Sequence, residues 1–291
     1  MFENQSSRRF VVSEGERRFF QDFGYLRLRG WLLDDMPWII DAFETVFADT
    51  YRKWNVTIDP TNRRYILAPF IDLSNELATL VDHPAIEAAF TALLGDSWGY
   101  LPGEGNYLHA GTGWHVDGPP STIPFVKMAI YLDAVSQDTG CLQFIAGSHR
   151  EEWEIAQTDH MKDYGVEERD IPGVSVPSEP GDIVLFRHTT YHATSGSQGR
   201  RRMFTLNACP PPTDAQSAEF LLYLDRTVKY FTSRIRNQWP EYRMNSLYGQ
   251  AMRDTATATR QARLHVGNQH EEAVLAIADE YDRSPLNGWH F

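Results

Sequence analysis

The chain has 291 residues, 42% of them hydrophobic and 13% aromatic, which is enough apolar material for a full core and too much for a disordered polymer. A formal net charge of −12 argues against a nucleic-acid partner, which needs a basic footprint, and against an anionic membrane surface. The polar start Met1–Arg9 lacks the apolar stretch of a signal peptide, no run of 18 apolar residues is present, and the two cysteines, Cys141 and Cys209, make no disulfide framework; a cytoplasmic protein is expected.

Ser13-Glu14-Gly15-Glu16 has the form of a capping box and predicts a helix through about Phe23, stopped by Gly24. Tyr25 to Arg29 then alternates apolar and polar, as a half-buried strand does. Asp34-Asp35-Met36-Pro37 opens a second helix, with Ile39, Ile40, Phe43, Val46 and Phe47 as its apolar stripe. A third runs from Pro84 to Leu94, before Gly95. From about Trp98 short apolar runs alternate with Gly, Pro, Asn and Asp, and Phe125–Leu132, Cys141–Ile145, Ile183–Phe186 and Met203–Asn207 read as strands. Asp214 caps a helix reaching roughly Asn237, and residues 267 to 281 predict one more. The pattern is that of a mainly β core, a double-stranded β-helix (jelly roll, cupin-like) with flanking N- and C-terminal helices. With no repeat or low-complexity linker, residues 1–291 are expected to form a single domain, its barrel core at about 98–210 and its helical decorations at 13–95 and 214–291.

Trp114-His115-Val116-Asp117 carries the chemistry. An imidazole and a carboxylate two residues apart on a strand share one face. His192 lies 75 residues beyond Asp117. Two imidazoles and one carboxylate make the facial triad that holds non-haem Fe(II) and leaves three coordination positions open. His188 competes for the second imidazole place, because on a strand it would share a face with His192. Lys127 sits inside the apolar run Phe125–Leu132, where a lysine needs a partner, an edge or an anionic ligand. Arg200-Arg201-Arg202 offers the planar forked donor that a carboxylate takes bidentately. The run Phe220–Leu224 with Tyr230 and Phe231 reads as core packing, with a cover for the barrel mouth or a dimer face as the other readings.

In order, Gly113-Trp114-His115-Val116-Asp117, Thr139-Gly140-Cys141-Leu142-Gln143-Phe144-Ile145-Ala146-Gly147-Ser148-His149, Gly181-Asp182 to Phe186, His192 and Arg200–Arg202 resemble the motif series of the phytanoyl-CoA dioxygenase family of Fe(II)/2-oxoglutarate oxygenases. The resemblance spans roughly Phe19 to Asn207. Ala146 stands where the family has Pro, and His192-Ala193-Thr194 replaces the family's H-G-S or H-x-S while keeping a hydroxyl. The resemblance implies that His115, Asp117 and His192 bind Fe(II), that 2-oxoglutarate is co-substrate with O2, and that Arg201, with Arg202 as the runner-up, anchors its distal carboxylate beside Thr194. It also puts Asn106 and Tyr107 at the co-substrate site. Read from the residues alone, Trp114, Lys127, Tyr131 and His188 are candidates to face the substrate, with core packing, a strand edge for Lys127 and a supporting polar role for His188 as the other readings. Halogenases resembling this family replace the carboxylate by Gly or Ala, so Asp117 favours oxidation. The implied activity is hydroxylation of an unactivated C–H bond of a small molecule or natural-product intermediate, with release of succinate and CO2, by a monomer or homodimer. A non-oxidative metal enzyme such as an isomerase, or a catalytically silent metal-binding barrel, would need the triad but not the arginine.

Overall fold

The computed structural model describes residues 10–55, 64–108, 111–118, 121–150, 166–167, 170–194, 201–237 and 239–283. Met1–Arg9 and Arg200 lie outside the described residues. The larger of two antiparallel sheets contains β1 (Tyr25–Leu28), β2 (Arg64–Leu67), β3 (Gly99–Leu101), β4 (Gly105–Leu108), β6 (Val126–Tyr131), β9 (Ile183–Arg187) and β11 (Arg201–Cys209). Its order is β1-β9-β6-β11-β4-β2, with β3 also paired to β11. The smaller sheet, β5-β10-β7-β8, holds β5 (Thr112–His115), β7 (Leu142–Phe144), β8 (Val174–Val176) and β10 (His192–Thr194). The chain crosses between the sheets at every step from β4 to β7 and again from β8 to β11, which is the winding of a jelly roll.

Side chains alternate across each strand, and the central strands are used on both faces. In β6, Val126, Met128 and Ile130 join the large core beneath the helices, while Lys127, Ala129 and Tyr131 face the smaller sheet. In β9, Ile183 and Leu185 face the helices, and Val184 and Phe186 face the smaller sheet. In β11, Phe204, Leu206 and Ala208 point to the helices, and Met203, Thr205 and Asn207 into the barrel. The barrel interior is sealed at one end by aromatic packing: Phe144 stacks on Tyr25 at 4.7 Å and meets Phe186 at 5.2 Å between ring centroids.

The helices cover the outer face of the larger sheet. α1 (Glu14–Phe23) has the expected capping box, and Gly24 ends it at φ 81°, a left-handed conformation that glycine adopts without strain. α2 (Met36–Trp54) carries Pro37 in its first turn and buries Ile39, Phe43, Val46 and Phe47. α3 (Asn75–Ala78) and α4 (Pro84–Leu94) follow, and α5 (Ser217–Arg236) matches the helix expected after Asp214. Three helices close the described chain: α6 (Gln250–Asp254), α7 (Ala258–Asn268) and α8 (Glu271–Arg283). The sequence reading misses α7 and starts α8 early. The reason is that α7 has no continuous apolar stripe, and it buries Arg260 along with Leu264 and Val266.

Candidate active site

His192 lies directly opposite His115 in the β10–β5 register, so both imidazoles leave the smaller sheet on one side, with ring centroids 4.3 Å apart. β5 ends at His115, and Asp117 stands beyond it; the expectation that one strand presents both groups is corrected here. The Asp117 N–H donates to the His188 carbonyl at 2.8 Å, and that bond to the β9–β10 turn returns the carboxylate to the imidazoles. Asp117 Oδ1 is 4.0 Å from His115 Nε2, and Oδ2 is 3.6 Å from His192 Nε2. One donor atom from each residue falls within 4.8 Å of the other two.

The local chemistry fits a cation. His115 Nδ1 contacts the Gly113 carbonyl at 2.8 Å and His192 Nδ1 the Thr190 carbonyl at 2.9 Å. These bonds call for Nδ1–H and leave Nε2 as a lone pair aimed at the site. Burial, reinforced by His115, lowers the His192 pKa to about 3, so its ring is neutral at ordinary pH. Burial pushes the Asp117 carboxyl up, but Lys127 and the surrounding histidines outweigh it and hold the group well below the usual carboxylate range. Asp117 Oδ1 is 2.9 Å from Lys127 Nζ, whereas the buried Oδ2 accepts no hydrogen bond among the described residues. An orphaned carboxylate oxygen beside two Nε2 lone pairs is what a divalent ion of Fe(II) type would satisfy.

His188 does not share a strand with His192, since β9 stops at Arg187 and a turn intervenes. Its Nε2 is 3.0 Å from Asn207 Oδ1 and its ring stacks on Phe125, so it borders the cavity outside the ligand cluster. Burial lowers its pKa to about 4.

A cavity of about 750 Å³ opens from the three groups between the sheets. Register separates the two arginines. Arg201, buried, is on the inward series of β11, and its Nη2 donates to Thr194 Oγ1 at 3.3 Å beside the Tyr131 hydroxyl. Gly140, at φ 93°, makes room for it: a Cβ there would lie 2.6 Å from Arg201 Cζ. Arg202 turns outward into ion pairs with Asp133 and, at 2.8 Å, Glu44.

Other expected positions move for the same reason. Tyr107 pairs with Arg202 in register and sends its hydroxyl to Glu44, among Phe43 and Phe47 rather than at the co-substrate site. Asn106 is different: it pairs with Met203 and so lies on the inward series, but it is fully buried and accepts from Arg64 Nε at 2.6 Å, behind the cavity lining. Trp114 borders the cavity, but it alternates with His115, and its indole stacks on Tyr191 at 5.6 Å on the other side of β5. Lys127 and Tyr131 do face the cavity. The sequence reading missed Arg64 and Glu104, which form an ion pair, together with Met203, Thr205 and Asn207. Period-two alternation counted from Arg201 would have found the last three. The C-terminal run covers the barrel mouth: Tyr223, Tyr230 and Phe231 of α5 line the cavity.

The phytanoyl-CoA dioxygenase family model matches residues 24–203, more than half of the chain. The chain belongs to the phytanoyl-CoA dioxygenase family. It is thereby an oxidoreductase whose family uses iron, 2-oxoglutarate and dioxygen. The dioxygenase lolE1 of Epichloe uncinata is 28% identical over 202 residues, covering 62% of this chain and 75% of the relative. Among solved structures, HygX from Streptomyces hygroscopicus with nickel and 2-oxoglutarate bound has a TM-score of 0.56 at 17% identity, covering 69% of this chain and 88% of HygX. The epimerase SnoN, solved with Fe3+, alpha ketoglutarate and nogalamycin RO, has a TM-score of 0.55 at 18% identity, covering 68% and 83%. The carbocyclase SnoK from nogalamycin biosynthesis has a TM-score of 0.53 at 23% identity, covering 69% and 85%. At these identities the structural neighbours speak for the fold. Among the described residues, no single helix is long and apolar enough to cross a membrane.

Proposed function

We propose that this member of the phytanoyl-CoA dioxygenase family hydroxylates an unactivated C–H bond of a small molecule, coupling it to conversion of 2-oxoglutarate into succinate and CO2. His115, Asp117 and His192 would hold Fe(II). Arg201, with Thr194 and Tyr131 beside it, would take the distal carboxylate of 2-oxoglutarate. The observation that carries the reading is the convergence of two Nε2 atoms and a carboxylate within 4.8 Å, with an inward, buried Arg201 in the same barrel.

Bound iron and 2-oxoglutarate would supply the oxidising power from dioxygen. The chain's own residues do the positioning. The Gly113 and Thr190 carbonyls fix the tautomer and orientation of the two imidazoles. Lys127 occupies Asp117 Oδ1 and leaves Oδ2 for the metal. A buried guanidinium in a site drier than bulk water binds a carboxylate more strongly than an exposed one does. The α5 roof limits water in the space where the C–H bond would lie.

An anaerobic titration with Fe(II) and then 2-oxoglutarate tests the assignment through the visible metal-to-ligand charge-transfer band. The band is expected in the native protein and in His188→Ala, and is expected to vanish in His115→Ala and His192→Ala. Iron binding without a band would remove 2-oxoglutarate from the reading and leave a non-oxidative metal enzyme. SnoN and SnoK, an epimerase and a carbocyclase, have related folds, so the product also matters. Incorporation of one labelled oxygen atom from dioxygen into the substrate-derived product, beside the one that goes into succinate, marks hydroxylation; its absence from that product with succinate still released marks a desaturation, cyclisation or epimerisation.

A further inference from the structure

Accepting the oxygenase reading, the cavity's roof bears on its substrate. α5 presents Tyr223, Arg226 with Thr227, Tyr230 with Phe231, and Arg234 to the cavity, a set that recurs every three or four residues along one helical face. The adjoining face buries Phe220, Leu224, Val228 and Ile235 in the core and holds the helix down. Tyr230 is held beside Glu104 and Arg64, and burial with the Glu104 charge raises its pKa to about 12. The roof is therefore a fixed wall, and it lies outside the residues 24–203 matched by the family model.

Its charge runs against that of the molecule. Four cations line the cavity, Arg64, Lys127, Arg226 and Arg234, against two carboxylates, Glu104 and Asp117. Each carboxylate already faces one of these cations, Glu104 facing Arg64 and Asp117 Oδ1 facing Lys127. Arg234 lies over the Tyr230 ring at 5.3 Å. Among the described residues no carboxylate pairs with Arg226, which is exposed at the cavity edge. A cationic mouth in a chain of net charge −12 favours an anion locally, since a low-dielectric cleft focuses the field of its own lining charges.

We propose that this face of α5 is the substrate-recognition wall, with Arg226, supported by Arg234 about two turns further along the same face, binding an oxyanion of the substrate and Tyr223 and Phe231 contacting its apolar or aromatic body. The substrate class is a small apolar or aryl molecule bearing a carboxylate or phosphate. Arg226 and Arg234 hold the anion at the mouth, so the apolar part enters toward the His115–Asp117–His192 end.

Fluorescence titration with 8-anilinonaphthalene-1-sulfonate, an aryl anion, and N-phenyl-1-naphthylamine, its uncharged counterpart, tests the wall without iron or 2-oxoglutarate. Arg226→Gln is expected to weaken the anionic probe about tenfold, the lower range for a charge-assisted contact at a partly exposed site, and Arg226→Gln/Arg234→Gln further. Binding of the neutral probe should not change in either variant. Arg253→Gln, on the exposed surface of α6, should leave both probes unaffected. Unchanged anionic affinity in Arg226→Gln, or equal losses for the two probes, overturns the proposal. Displacement by 3-phenylpropionate or by phenyl phosphate, but not by 3-phenylpropionamide, supports it and tells carboxylate from phosphate; equal displacement by the amide sinks it. Because these titrations contain no metal, a missing charge-transfer band overturns the oxygenase reading separately.

Discussion

At the scale of single residues, one step along β11 separates two different jobs. Arg201 and Arg202 are adjacent, identical and both at least partly buried, yet one faces Thr194 and Tyr131 and the other faces Asp133 and Glu44. Arg201→Gln is expected to weaken 2-oxoglutarate in the anaerobic titration by about 2 kcal/mol, roughly thirtyfold, the ordinary worth of hydrogen bonds to a charged group. Arg202→Gln should leave that affinity in place and lower folding stability by about 1 kcal/mol, because its ion pairs are only partly shielded. Equal loss of co-substrate affinity in both variants would contradict the inward–outward assignment. The contrast also marks what a linear motif conveys. The convergence of His115, Asp117 and His192 was legible because residue type and order are those of a facial triad. The preference for Arg201 over Arg202 came from the family resemblance and not from the residues themselves, because a strand's facing depends on register, and one residue reverses it. Tyr107 fell to the same ambiguity: it lies between inward residues and sends its hydroxyl to Glu44 on the helix side.

Whole elements were legible where local signals are strong. The Ser13–Glu16 box, Pro37 and the Pro84–Leu94 segment start their helices where expected. α4 has a less familiar start. His83 is its N-cap, and His83 Nδ1 accepts from the Ala85 N–H at 3.2 Å, while Nε2 stands 3.2 Å from Asp35 Oδ2. Accepting at Nδ1 requires the neutral ring, and burial, only partly offset by Asp35, lowers the His83 pKa below its ordinary 6.5. A histidine depressed in the folded state takes up a proton on unfolding in the window below 6.5, so stability falls as pH falls through that window. His83→Asn keeps a capping acceptor and removes the titration. Urea unfolding of the metal-free protein between pH 7 and pH 5 should show a shallower decline for the variant, by at most about 1.4 kcal/mol per pH unit. An identical slope would mean that His83 does not titrate on unfolding. By contrast, α7 was invisible in sequence because tertiary contacts, not an apolar period, hold it in place.

For the whole molecule, those tertiary contacts decide whether the C-terminal helices are ornament or structure. Val274 and Ala278 of α8 and Leu264 and Val266 of α7 belong to the same apolar cluster as Phe204 and Leu206 of the barrel sheet. The polar lock on this packing is Arg260, 1% exposed, whose guanidinium meets Asp82 just before α4 and donates from Nη1 to Thr255 Oγ1 at 3.1 Å. Thr257, the N-cap of α7, donates to the other oxygen of Asp82 at 2.9 Å, so one carboxylate holds both the start of the helix and its buried charge. Removing one member of a buried pair leaves the other charge desolvated and uncompensated, which costs about 3–5 kcal/mol. Arg260→Ala is therefore expected to lose that much in urea unfolding, a large share of a typical total of about 5–15 kcal/mol. Asp82 and Arg260 are remote in sequence from the His115–Asp117–His192 cluster, so at low temperature, where the variant is still folded, the iron and 2-oxoglutarate band should persist. The roof sets a further condition, because α5 packs against α8. If α7 and α8 loosen together, the α5 wall loses its backing, and the anionic aryl probe should bind Arg260→Ala less well than the native protein before the charge-transfer band is affected. A loss of less than about 1 kcal/mol, the scale of an exposed pair, would show that the apolar packing alone docks these helices and that the buried arginine is incidental to the fold.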